Sequence, residues 1–215
     1  MRLLVRRCRG FNLIELALAM SMLVAFMVLT HMTLFHGIGF VQQTDSYTYP
    51  QKEGAVLLRR LREELSNGHE KWVVLGNNAA SIRFLSAQNP EPQVPRLDFD
   101  NTNGRLFWKK WICFLWQPTN QQVLRMELAL DSPTSNLTNE PDPSPLPDEF
   151  LTTANVRQRR LARGIVDFEI LPSGPGKYTV RLTAERMVPV SSRRSTPERV
   201  QVHLETTVAI LNQDS

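Results

Sequence analysis

The sequence predicts an α+β chain: one long N-terminal helix, apolar enough over its first half to enter a membrane, and an antiparallel β-sheet head packed on the second half. Three observations lead there. No Asp, Glu, Lys or Arg occurs from Leu16 to Thr44. Leucines then return at three-to-four spacing from Leu57 to Leu65, the signature of a one-sided helix. Beyond Gly68 the apolar period shortens towards two in short runs between turn residues, without the alternation of strands and helices that a parallel sheet requires.

Composition sets the outer bounds. The chain has 215 residues, of which 42% are hydrophobic and 21% charged. These values exclude a wholly disordered chain, a collagen and a coiled-coil rod. Two cysteines are too few for a disulfide-dense scaffold or a four-thiolate zinc site. The basic pI of about 9.4 is a local effect. Arg2, Arg6, Arg7 and Arg9 supply it; without these four, the 25 Lys+Arg fall to 21 and balance the 21 Asp+Glu. The body of the chain is formally neutral and has no sustained basic stripe for nucleic acid. Cys8 also lies in the basic stretch, leaving Cys113 without an intrachain partner in the rest, which permits an oxidising compartment without requiring one.

Taken in order, Phe11 to about Thr33 meets the need for about 20 mainly apolar residues in a membrane span, and the weaker stretch to Val41 extends the helix. The basic flank Arg2–Arg9 keeps the N-terminus cytoplasmic and sends the remaining chain across. Ala17-Leu18-Ala19 has the small-x-small form of a signal-peptidase site, but the apolar run continues past it, whereas a secretory h-region ends there. Glu15 breaks the pattern just inside the span. It reads either as an interfacial helix end, where an acid suits the helix dipole, or as a functional group inside the membrane.

Arg9-Gly10-Phe11-Asn12-Leu13-Ile14-Glu15-Leu16 resembles the N-terminal signal of type IV prepilins and type II secretion pseudopilins, with Asn12 where Thr is usual. The resemblance implies a pilin-like fold. Residues 1–10 would be a leader peptide, 11–40 the transmembrane and assembly half of the helix, and 41–215 an extracytoplasmic head. A prepilin peptidase would cut after Gly10 and methylate the new amine of Phe11. Glu15 would carry assembly by meeting the N-terminal amine of a neighbouring subunit, since a buried carboxylate needs a partner. The implied partners are other minor and major pilins or pseudopilins, the peptidase and the bacterial inner membrane.

Further along, Gly37, Gly39 and Pro50 weaken the helix, and Pro50 is expected to kink or interrupt it. Leu57, Leu58, Leu61 and Leu65 form its apolar stripe, with Arg59, Arg60, Arg62, Glu63 and Glu64 largely opposite. Ser66-Asn67-Gly68 reads as its stop. Strands are expected at Lys71–Leu75, Ser81–Ala87, Arg105–Gln117, Val123–Leu130, Ile165–Leu171, Lys177–Arg186 and Arg199–Leu211. Turns are expected at Pro118–Asn120 and Pro172–Gly176. Val156–Arg163 is basic and reads as a short helical turn. The segment 131–149, with Pro133, Pro141, Pro143, Pro145 and Pro147, reads as a mobile loop without enough apolar surface to order itself. Gln88–Gln93 and Met187–Glu198 read as further loops. The size and this plan resemble larger minor subunits, of the J type in type II secretion or the W type in type IV pili.

The residues offer no catalytic set. His31, His36, His69 and His203 fall in no metalloprotease motif, and no P-loop or G-x-S-x-G occurs. No metal-ligand spacing is present; Asp98, Asp100 and Asn101 could ligate calcium through their oxygens, but the spacing lacks an EF-hand loop and reads as a solvated turn. The expectation is a non-enzymatic structural subunit without cofactor or metal. The most unusual run is Phe107–Trp116. Alternation puts Trp108, Ile112, Phe114 and Trp116 on one face and Trp111, Cys113 and Leu115 on the other. It reads as a central strand covered on both sides, or as a partner surface through Trp108, Trp111 and Trp116. A third reading has Trp108 and Lys109 stacking on single-stranded DNA, as in a DNA-binding competence pilin. An unprocessed, single-span membrane-anchored binding domain is the remaining alternative.

Overall fold

The structure is a computed structural model describing residues 12–88, 97–101, 104–138, 141–188 and 198–212, without the side chains of Gln42, Gln43, Val188 and Glu198. The expected leader, Phe11 and most of the 88–93 and 187–198 loops lie outside the described residues. The chain is α+β, with one long helix and two antiparallel sheets. Helix α1 runs from Leu13 to Leu65, 53 residues, and ends where Ser66-Asn67-Gly68 was expected to stop it. Of the two outcomes expected at Pro50, an interruption does not occur: the helix runs through it. Proline removes one backbone hydrogen bond, and both Pro50 and Ser46, one turn before it, are buried. The chain divides into two compact units, Met1–Asp45 and Ser46–Ser215.

In the first unit, the helical residues carry their apolar side chains outward: Leu13 is 85% exposed, Phe26 71% and Phe40 71%. Four hydroxyl side chains among them turn back onto their own helix. Ser21 donates to the Leu18 carbonyl at 2.8 Å, Thr30 to Phe26 at 2.8 Å, Thr33 to Leu29 at 3.0 Å and Thr44 to Phe40 at 2.9 Å. Such bonds satisfy hydroxyls without water.

The second unit adds eight strands to the last turns of α1. These are β1 (Val74–Leu75), β2 (Ser81–Ser86), β3 (Trp108–Gln117), β4 (Gln122–Thr134), β5 (Arg157–Arg163), β6 (Ile165–Gly174), β7 (Lys177–Val188) and β8 (Glu198–Ala209). One sheet has the order β1-β2-β3-β4-β5, the other β6-β7-β8, and every pairing is antiparallel. The principal core joins three elements: Leu57, Leu61 and Leu65 of α1, Phe84 and Phe114 of the larger sheet, and Phe168 and Leu182 of the smaller. Each fully buried leucine contributes about 1.5–3 kcal/mol of apolar transfer. Gly54 permits the close approach of helix to sheet, because a Cβ there would lie 2.5 Å from Leu204 Cδ1. The sheets meet at Gly164, whose φ of +66° and 2.5 Å clearance from the Glu185 carbonyl admit no side chain without strain. Around it, Ile165 N–H donates to the Gln121 carbonyl at 3.0 Å and Trp116 Nε1 donates to the Ile165 carbonyl at 2.8 Å.

Several expectations are corrected here. The basic stretch expected as a helical turn is β5, an edge strand whose register sets Arg159 beside Arg125 and Arg157 beside Glu127. The first expected strand shrinks to β1 after a 3-10 turn at Glu70–Trp72. The described part of 131–149 is mostly exposed but is anchored at a few points. Its first residues extend β4, Pro147–Leu151 forms a 3-10 turn, and Pro141, Pro147 and Phe150 are buried. A segment poor in apolar residues orders here because a ready-made sheet face receives it. Arg83 reaches out of β2 to fix it, donating to the Pro145 carbonyl at 2.7 Å and to Ser144 Oγ at 2.9 Å.

Candidate functional site

Asn12 precedes the helix, and its backbone N–H donates to Glu15 Oε2 at 3.2 Å, while its carbonyl accepts from the Glu15 N–H at 2.9 Å. Glu15 thus closes the first turn as a capping carboxylate, the placement that free N–H groups and the helix dipole favour. Its side chain is exposed. Gly10 and Phe11, the other residues singled out for processing, lie outside the described residues. After Glu15, an uncharged and outward-apolar surface continues along the helix, which is long and apolar enough to span a membrane near the N-terminus.

The aromatic strand is an interior element. Trp111 is 0% and Trp108 3% exposed, and Trp116 is half-buried with its indole N–H already bonded. These three residues therefore do not form an open aromatic surface. A bulge between Trp108 and Lys110 also changes the expected alternation. It carries Trp108 into a second core with Trp111, Cys113 and Leu115, while Ile112 and Phe114 face the helix. Phe150, from the proline-rich segment, closes that second core. The Arg83 guanidinium lies 4.3 Å from the Trp111 ring centroid, stacked on it. Burial pushes the Cys113 thiol well above its usual range, so it stays protonated and inert at neutral pH.

A charged network missed in the sequence links helix to sheet. Arg125 of β4 donates through Nε to the Glu64 carboxylate at 2.8 and 2.9 Å and through Nη1 to Glu127 at 2.9 Å. Lys110 of β3 donates to Glu127 at 3.2 Å. Glu64 was placed with the solvated residues of the helix, yet it is buried at 6% exposure. Burial alone would push the Glu127 carboxyl up; the Arg125 bond and the Lys110 and Arg125 charges outweigh it and hold it below the usual carboxylate range. The only available sequence signal was the helical spacing that sets Glu64 beside the Leu57–Leu65 stripe. Its partner lies 61 residues away.

The aspartates of the solvated turn are occupied within the protein. Lys109 forms an ion pair with Asp98, and Ser135 donates to Asp100 at 2.6 Å. Comparison with protein-family models, with characterised proteins and with solved structures gives no match.

Proposed function

We propose that this chain is a minor pilin or pseudopilin: a membrane-anchored structural subunit that, after cleavage by a prepilin peptidase, initiates or caps a type II secretion pseudopilus or a type IV pilus. One observation carries the reading. Gly10-Phe11-Asn12-Leu13-Ile14-Glu15 stands at the start of a helix whose next 29 residues, Leu16–Thr44, carry no ionic charge. The outward-facing apolar residues of that helix are compatible with both a bilayer and a bundle of like helices. The α+β head, with the end of the helix built into its core, suits a subunit that displays a folded domain on a helical stem.

In this reading the leader orients the precursor, and its removal frees an amine for the carboxylate of Glu15 on an adjacent subunit. Glu15 is suited to that role because, among the described residues, only its own helix terminus engages it. The head supplies partner contacts rather than catalysis. The assembly function is tested in cells making the companion subunits. Glu15→Ala should leave cleavage intact and lose crosslinking to neighbouring subunits through the N-terminal helix, while Gly10→Val should retain the leader. Normal incorporation of the Glu15→Ala protein would overturn the assembly role.

A DNA-binding competence pilin is disfavoured by the burial of Trp108, Trp111 and Trp116, which leaves none of them as an open stacking platform.

A further inference from the structure

The basic strand β5 has two features beyond its place in the fold. Among the described residues it is the last strand of the larger sheet and pairs on one side alone, with β4. It also carries Arg157, Arg159, Arg160 and Arg163 within 7 residues, and residues 157–160 are all exposed. Among the described residues, none of these four guanidinium groups makes an ion pair or hydrogen bond. The acids behind them are already engaged: Glu127 and Glu64 by Arg125 and Lys110. At the far end of the strand, the Arg163 backbone N–H donates to Glu53 Oε2 at 3.3 Å.

A carboxylate thus already takes one backbone donor beside the arginines. The register distributes the positive charge over both faces of the strand. Arg157 and Arg159 lie opposite Glu127 and Arg125, on the helix side of the sheet; Gln158 and Arg160 lie opposite Met126 and Leu124, on the other side.

We propose that β5 is a docking edge for an extended acidic segment of a partner polypeptide, which joins the larger sheet as an additional strand. Its backbone pairs with the open N–H and C=O groups of β5, and its carboxylates on both faces take the arginines in bidentate contacts. A peptide is favoured over an anionic lipid or a nucleic acid because only a peptide uses the strand edge as well as the charge. β5 itself has no aromatic residue for stacking bases. The proposal concerns the head alone and is independent of whether Gly10 is cut.

The test uses the full chain in detergent micelles and a capped seven-residue probe, Thr-Glu-Glu-Thr-Glu-Glu-Thr, matched to the 7 residues of β5. Binding is read by fluorescence anisotropy and by hydrogen exchange. The expected result is saturable binding that slows exchange at β5 amides. It should weaken at least about tenfold, or about 1.4 kcal/mol, when alternate probe amides are N-methylated. The Arg157→Gln, Arg159→Gln, Arg160→Gln variant should lose a similar factor, and the same positions changed to Lys should lose part of it. These side chains are exposed, so unchanged exchange in β3 would confirm that the variants fold. Absence of binding, equal binding of the methylated probe, or stronger binding to phosphatidylglycerol vesicles or single-stranded DNA than to the peptide would each overturn the proposal.

Discussion

The two units of this chain use apolar residues in opposite ways. Up to Asp45 the helix exposes them, with Leu13 at 85% and Phe35 at 68%, and folds its hydroxyls back on itself. From Ser46 onward, Leu57, Leu61, Trp111 and Phe114 all fall to 0%, and most exposed side chains are polar or charged. The first unit needs another medium or neighbouring helices to cover it; the second covers itself. Mean hydropathy already separates the two: a window of the first helix reaches 2.3, whereas the whole chain averages -0.25. Arrangement separates them further: an uncharged run in one, two faces of alternating residues in the other.

Substitutions can therefore break one unit without the other. The largest effect is expected from Trp111→Ala, which empties the centre of the second core and should destabilise the head by about 3–5 kcal/mol. Denaturant titration of the full chain in micelles should show an early loss of β signal with the helical membrane segment retained. Next, Arg125→Met leaves the buried Glu64 and the half-buried Glu127 without their main partner and should cost about 3 kcal/mol. The doubly substituted chain carrying Glu64→Leu as well should recover part of that loss. Leu23→Arg probes the other unit. It should disfavour membrane insertion by about 2.5–3.5 kcal/mol on translocon scales and leave the head's denaturation midpoint unchanged.

The smallest effect is a pH dependence. Glu127 titrates in the folded head below its usual value of 4.5. A depressed folded value means that its stabilising contribution is complete above the unfolded value and is lost as pH falls through the folded one. The denaturation midpoint should therefore decline below pH 4.5 and decline less steeply in Glu127→Gln. Equal slopes in the two proteins would show that other carboxylates dominate.

How much was legible in the sequence differs between the same two units. The helix was readable because an absence of charge over Leu16–Thr44 is a one-dimensional property. Most strands were readable too. Val200, Val208 and Ile210 alternate with exposed residues as the pattern required. β5 was misread because an edge strand with exposed arginines shows little apolar period; only Ala162 is fully buried in it. The face of Trp108 was misassigned because a bulge shifts alternation without a residue code of its own. The segment 131–149 looked too polar to order, yet a few side chains, Pro147 and Phe150 among them, suffice when a sheet face already exists. The division into two sheets and the Glu64–Arg125 pair were hidden for one reason: both depend on which distant segments meet. The candidate processing and assembly residues, Gly10, Phe11 and Glu15, were legible as a contiguous motif.

The central claim concerns the first unit, and mass spectrometry of the N-terminal peptide from native membranes tests it most directly. The account predicts a peptide that begins at N-methylated Phe11. A mature protein still carrying Arg2–Gly10 would contradict it and leave a plain single-span anchor, with the binding role moved wholly to the head.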